Sequence, residues 1–213
     1  MKGSFIILGC FVAGLLLSIF NVIPPIEQIA EYSKYLLYLL MFLVGISLGL
    51  DKTLIPTIKA QPVRLLALPL ATMVGTLTGA VVAFFILKYL FVYSGDSSNS
   101  YGLFDILSVG SGYGYYSLSS IFLNEARGAE IGTIALAANI LRELITILLA
   151  PLMAKYFGPF APISSGGATT MDVTLPIIQK TVGNKYVPLS VYHGIVMDFS
   201  VPLYLTLFIS LAG

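Results

Sequence analysis

Apolar residues gather along the chain into seven blocks, at about residues 4–21, 33–50, 64–89, 101–123, 131–155, 159–181 and 187–211. Each is close to the roughly 20 residues that a helix needs to cross a bilayer. Polar residues form only short connections, the longest being the 51–63 loop and the stretch Ser94–Ser100. The pattern predicts an all-α polytopic membrane protein with about seven transmembrane segments. No soluble domain fits between the blocks, so residues 1–213 read as a single transmembrane domain.

Two blocks depart from the regular pattern. Ser108–Ser120 reads SVGSGYGYYSLSS, and its three glycines, five serines and three tyrosines make a poor regular helix. Ser164–Pro176 reads SSGGATTMDVTLP, where Gly166 and Gly167 interrupt the apolar run. The segments near 108–120 and 164–176 are therefore expected to be broken or re-entrant. Irregular backbone at membrane depth survives only where protein or water covers it. A helix starting near Gly167–Thr169 would aim its positive end into the membrane. Pro176 has no N–H, so the Asp172 carbonyl is expected to lack its helical donor.

Between these two segments lies a charged apolar helix, Ile131–Leu149, with Arg142 and Glu143 side by side. A charge at bilayer depth costs roughly 2.5–3.5 kcal/mol on insertion scales, so something must compensate both. Asn139, Glu143 and Thr146 share one helical stripe, with Arg142 about 100° around from Glu143. The pair reads either as a structural ion pair pinning two helices or as part of a transport site. Two interrupted segments flanking a charged helix point to a transporter site near the midplane. Residues 1–100 then serve as scaffold, with close-packing Gly45/Gly49 and Gly75/Gly79 spacings, and 101–213 as the transport core.

Composition narrows the chemistry. The chain is 57% hydrophobic and 10% charged with a net charge of +1, which offers nothing to a nucleic acid. One cysteine, Cys10, and one histidine, His193, allow no internal disulfide and suggest no metal cluster. No G-x-x-x-x-G-K-[ST] loop is present, so direct use of ATP is not expected. Asp172 and Asp198 resemble a carboxylate dyad, but no nucleophile–base pair accompanies them, and the chain is not expected to be an enzyme. His193 reads as a packing residue or a proton relay. Counting Asp198, the intramembrane acids outnumber the one fixed base, Arg142. Either a carboxylate is protonated or a cation joins it, and both suit a carrier of cations. A carboxylate on the substrate would find donors in open amides at the glycine breaks or in Arg142. The candidate binding set is Asn139, Arg142, Glu143, Asp172, Asp198 and His193. Gly112, Tyr113, Gly114, Ser117, Gly166, Gly167, Thr169 and Thr170 at the breaks complete it, with a Na⁺ site expected near Asp172. No cofactor is expected beyond a coupling ion, H⁺ or Na⁺.

The first block, Lys2 with Phe5–Phe20, has the build of a signal peptide without a small-x-small cleavage site, and reads as a retained span. With the N-terminus inside and every block crossing, seven Lys/Arg lie inside (Lys2, Lys52, Lys59, Arg64, Arg127, Lys180, Lys185) and three outside (Lys34, Lys88, Lys155). This predicts N-in and C-out.

The runs SGYGYYSLSS at 111–120, ANILRELITILLAP at 138–151, GGATTMDVTLPIIQKT at 166–181 and VYHGIV at 191–196 resemble the LysO (DUF340) lysine exporters. FLVGISLGL at 42–50 is similar to the family's scaffold helix, and the likeness runs from about residue 35 to the end. The resemblance implies a secondary transporter exporting L-lysine, and analogues such as thialysine, from the cytosol across the cytoplasmic membrane. It carries over Glu143 as the intramembrane acid, with Arg142, Asn139, Asp172 and His193 beside it. Full-length members have further N-terminal spans, which implies either a small membrane protein supplying them or a homodimer. Asp198 stands where a small or apolar residue is expected, as a local variation or a second cation site. The competing readings are a cation/proton antiporter and a non-transporting subunit of a larger complex.

Overall fold

A computed structural model describes residues 62–94 and 101–212, with isolated helical positions between 9 and 56. The predicted blocks 4–21 and 33–50 lie outside the continuously described residues. The described residues form helices α1 (Pro62–Ser94), α2 (Leu103–Gly110), α3 (Tyr116–Arg127), α4 (Ala129–Phe157), α5 (Ala161–Gly166), α6 (Leu175–Val182) and α7 (Val187–Ala212), and no strand. Short 3₁₀ turns occupy Gly167–Met171 and Asn184–Tyr186. Among the described residues three stretches are long and apolar enough to cross a membrane: Leu66–Leu90, Ala129–Phe157 and Asn184–Ala212. They match the predicted blocks at 64–89, 131–155 and 187–211.

The other two described blocks break where glycine and serine predicted, and each folds back on itself. Asp105 near the start of α2 pairs with Arg127 at the end of α3 at 2.8 Å. Tyr101 before α2 donates to Glu130 at the start of α4. At the 1.5 Å rise of a helix, a segment running straight on would separate residues 105 and 127 by about 30 Å. The block at 101–123 therefore enters and leaves at one end of the bundle, and α2 and α3 are the limbs of a re-entrant hairpin. Gly128, at φ +95°, then turns the chain sharply into α4, which lies so close on α3 that a Cβ at Gly132 would sit 2.7 Å from that of Asn124.

The block at 159–181 does the same from the opposite end. Ile163 on α5 packs with Ile147 and Ala150 of α4, and Ile177 and Ile178 on α6 join that cluster. Farther out on α6, Lys180 and Thr181 border one cavity with Ala154 and Lys155 near the end of α4. The expectation that both blocks cross fully is thus corrected: α5 and α6 are the limbs of a second re-entrant hairpin. Its returning helix also begins at Leu175, not near Gly167–Thr169, because the residues after the glycine pair wind into a 3₁₀ turn. Pro176 sits in the first helical turn, where its missing N–H is harmless. The Asp172 carbonyl is not free, because it accepts from the Leu175 N–H at 3.2 Å.

α1 starts beside the second hairpin, with Leu68 in the Ile147–Ile163 cluster, and ends beside the first, with Leu77 and Val81 near Leu107 and Phe208. α1 plus the first hairpin is therefore repeated in opposite sense by α4 plus the second. Inverted repeats of broken helices are a common architecture of secondary transporters. The central core, with Met73, Tyr113, Ala135, Ala168, Met197, Val201 and Leu205, draws on all three spans and both hairpin tips.

Candidate transport site where the hairpin tips meet

The two breaks touch each other deep in the bundle. The Ala168 N–H of the second tip donates to the Tyr113 carbonyl of the first at 2.9 Å. Tyr113 is fully buried and has a left-handed φ of +45°. Gly167 faces it at φ +62°, and a Cβ there would overlap the Tyr113 carbonyl oxygen. The sequence places glycine at the tip because only glycine permits this approach.

Each tip is fastened by polar side chains of the spans. Asn139 on α4 accepts from the Gly114 N–H at 2.7 Å, and donates to the Ala135 carbonyl at 2.9 Å and to Ser119 Oγ at 3.3 Å. Oδ1 is committed to the first hairpin, and Nδ2 is shared between that hairpin and the Ala135 carbonyl of its own helix. Arg142, one turn on, serves the second: Nε donates to the Ser165 carbonyl at 2.8 Å, Nη2 to the Ser164 carbonyl at 3.0 Å and Nη1 to Thr76 at 3.3 Å. These carbonyls end α5, so the guanidinium meets the negative end of a helix. Thr146 adds a bond to Ser165 Oγ at 2.7 Å. The buried His193 on α7 bridges Thr72 of α1, at 3.0 Å from Nε2, and Thr170 of the second tip, at 3.2 Å from Nδ1. Thr170 and Ser190 close that contact with reciprocal bonds of 2.9 Å.

Arg142 is therefore not the partner of Glu143. Among the described residues the one ion pair is Asp105–Arg127, at the edge of the bundle. Glu143 Oε2 is buried and has no hydrogen-bond partner among the described residues. Its charge instead lies within electrostatic range of Asp172, and Asp172 in turn of Asp198. Tyr115 lies within electrostatic range of Asp172 and Asp198, and Tyr116 of Glu143 and Asp172. One Asp172 oxygen takes the Val173 N–H. Three half-buried carboxylates thus lie in series within electrostatic range, with no counter-cation among the described residues and with Tyr116 and Ser117 exposed. An unpartnered buried carboxylate oxygen is destabilising by more than the roughly 1–3 kcal/mol of a neutral group, and a proton or cation relieves it.

The predicted site residues thus divide into two groups. Glu143, Asp172 and Asp198 form the acidic cluster. Asn139, Arg142, His193, Thr170, Gly112, Gly114, Gly166 and Gly167 build and fasten the tips, and Thr169 closes the second with a 2.9 Å bond to the Gly166 carbonyl. Sequence reasoning did not single out Thr72, Thr76, Ser119, Ser165, Ser190, Tyr115 and Tyr116. Thr72 and Thr76, four apart on a largely apolar helix, were a readable stripe.

Comparison with known proteins adds a family to this geometry. Residues 8–209 match the family described as lysine exporter LysO. The chain is 33% identical over 183 residues to the lysine exporter LysO of Escherichia coli, covering 86% of this chain and 56% of that protein. It therefore spans little more than half the length of that relative. It is 32% identical over 176 residues, 83% of each chain, to a candidate lysine exporter of Haemophilus influenzae. No solved structure matches it.

Proposed function

The chain belongs to the lysine exporter LysO family, and we propose that it is a secondary transporter moving L-lysine, and analogues such as thialysine, out of the cytosol in exchange for H⁺ or Na⁺. One observation carries the reading: Glu143, Asp172 and Asp198 lie within electrostatic range in series, with no counter-cation among the described residues, in a fold whose two re-entrant hairpins meet at their tips. Lysine's two ammonium groups would replace the coupling ions on these carboxylates, and its own carboxylate would need a donor elsewhere in the site. Arg142 is occupied by the Ser164 and Ser165 carbonyls, so it would reach a substrate carboxylate only by giving up a bond to the end of α5. An inside-negative potential already favours loss of a cation by roughly 2.3 kcal/mol per charge per 100 mV, so a gate matters more here than a steep driving force.

The hairpins support an orientation. Lys155, Lys180 and Lys185 stand at the end from which the second hairpin enters, and Lys88 and Arg127 at the other. Placing the Lys155 end in the cytosol exchanges Lys155 for Arg127 in the earlier count, which stays at seven inside and three outside. The N-in, C-out orientation in the cytoplasmic membrane is kept while α4 reverses its direction.

The test is labelled-lysine flux in proteoliposomes holding the full chain, wild type against Glu143→Gln, with and without a pH or Na⁺ gradient. Flux should fall at least tenfold in the variant, with thermal stability unchanged or raised, since an unpartnered charge is removed. The gradient that accelerates wild-type flux names the coupling ion. Gradient-driven Na⁺ movement that ignores lysine would replace this reading with a cation/proton antiporter.

A further inference from the structure

Away from the hairpin tips, a cavity of about 460 Å³ opens between α4 and the outer limb of the second hairpin. It is lined by Pro151, Ala154, Lys155, Ile177, Lys180 and Thr181. Ile177 is buried and forms an apolar floor with Pro151 and Ala154, while Lys155 and Lys180 are exposed. Each lysine lies in the last turn of its own helix, where it complements the negative end. That accounts for each one singly. It does not account for two like charges bordering one cavity with no acid among the described residues that line it. From Leu144 to Met171 and from Val173 to Met197 the sequence holds no Asp or Glu, and Lys185 adds a third positive charge at the same end. Tyr156 and Phe157, 68% and 81% exposed directly after Lys155, mark this level as the membrane–water interface.

A cavity at that level, apolar within and cationic at two points of its wall, suits an anion that carries apolar carbon behind it. We propose that it binds the phosphate of an anionic phospholipid, held by Lys155 and Lys180, with the glycerol and first acyl carbons over Pro151 and Ile177. The lipid bridges α4 and α6 and so ties the outer limb of the second hairpin to a membrane span. Basic pockets between transmembrane helices take anionic headgroups by this chemistry.

The full chain in detergent is titrated with short-chain phosphatidylglycerol, short-chain phosphatidylcholine and inorganic phosphate, reading the melting temperature. Three forms are compared: wild type, Lys155→Gln/Lys180→Gln and Lys155→Arg/Lys180→Arg. Phosphatidylglycerol should stabilise the wild type and the arginine form, and phosphatidylcholine should not. Its apparent affinity should fall about fivefold for each lysine lost, about 25-fold in the glutamine form. An affinity unchanged in the glutamine form, or equal stabilisation by the two lipids, overturns the proposal. Inorganic phosphate reproducing the full shift on its own overturns the lipid assignment and gives the cavity to free phosphate.

Discussion

In the first hairpin Asp105 on the incoming limb reaches Arg127 on the outgoing limb, and Tyr101 reaches Glu130, so charge and hydrogen bonding close its base. In the second, the base is held by the edge of the Phe160 ring against Tyr186 and opens into the lysine-flanked cavity, while the fastening bonds gather at the tip. The two hairpins occupy equivalent places in an inverted repeat, yet one is tied at base and tip and the other chiefly at the tip. Topology is repeated by the architecture; the fastening is written separately into each copy. Disturbing a tip contact should therefore cost more in the second hairpin, and disturbing a polar contact at the base should be felt in the first.

The largest effect is expected at Gly167. A Cβ there overlaps the Tyr113 carbonyl, and φ +62° adds strain on the order of 1–3 kcal/mol for any other residue. At Gly114, φ is +94° but a Cβ would still stand 3.1 Å from the Gly166 carbonyl oxygen. Gly167→Ala should lower the melting temperature far more than Gly114→Ala and abolish lysine flux. Equal losses would mean that the two tips share the strain, and the contrast between them would go.

Next come the fasteners on α4. Arg142→Ala removes three hydrogen bonds, two of them from a charged donor to the end of α5, and should destabilise by about 3 kcal/mol. Lysine at that position supplies a point charge but no planar fork for two neighbouring carbonyls, so Arg142→Lys should recover less than half of the loss. Asn139→Ala strands the Gly114 N–H and should cost about 2 kcal/mol. Denaturant titration of the three variants gives the order, and an Asn139→Ala loss exceeding that of Arg142→Ala would reverse the ranking of the hairpins.

The breaks were legible because glycine and serine runs are a local signal: SGYG and SSGG mark where a helix stops whatever surrounds it. The direction of the chain after each break was not. A broken helix that crosses and one that turns back share the same composition, and only long-range contacts separate them, such as Asp105–Arg127 in the first hairpin and Lys180 beside Lys155 in the second. The same limit applies to the site. That acids outnumber bases at depth can be counted from sequence, but not that the adjacent Arg142 and Glu143 point to different neighbours. Helical phase separates their side chains by about 100°, and tertiary packing then assigns one to α5 and the other to Asp172.

The smallest effect tests the base of the first hairpin. The Asp105 and Arg127 side chains are 8% and 26% exposed, so the pair is partly screened and its coupling should be about 1 kcal/mol in a cycle of Asp105→Asn, Arg127→Gln and the double variant. The informative measurement is where the loosening is felt. Amide hydrogen exchange should quicken at Ser111–Tyr115, the tip that this base supports, and stay unchanged at Gly167–Met171, whose fasteners lie on α4 and α7. The Ala168–Tyr113 bond is the one backbone link between the two tips, and a single bond of roughly 1 kcal/mol is too weak to carry the disturbance across. Exchange that quickens equally at both tips would show that they open together, so that the hairpins act as one gate in spite of their different fastenings.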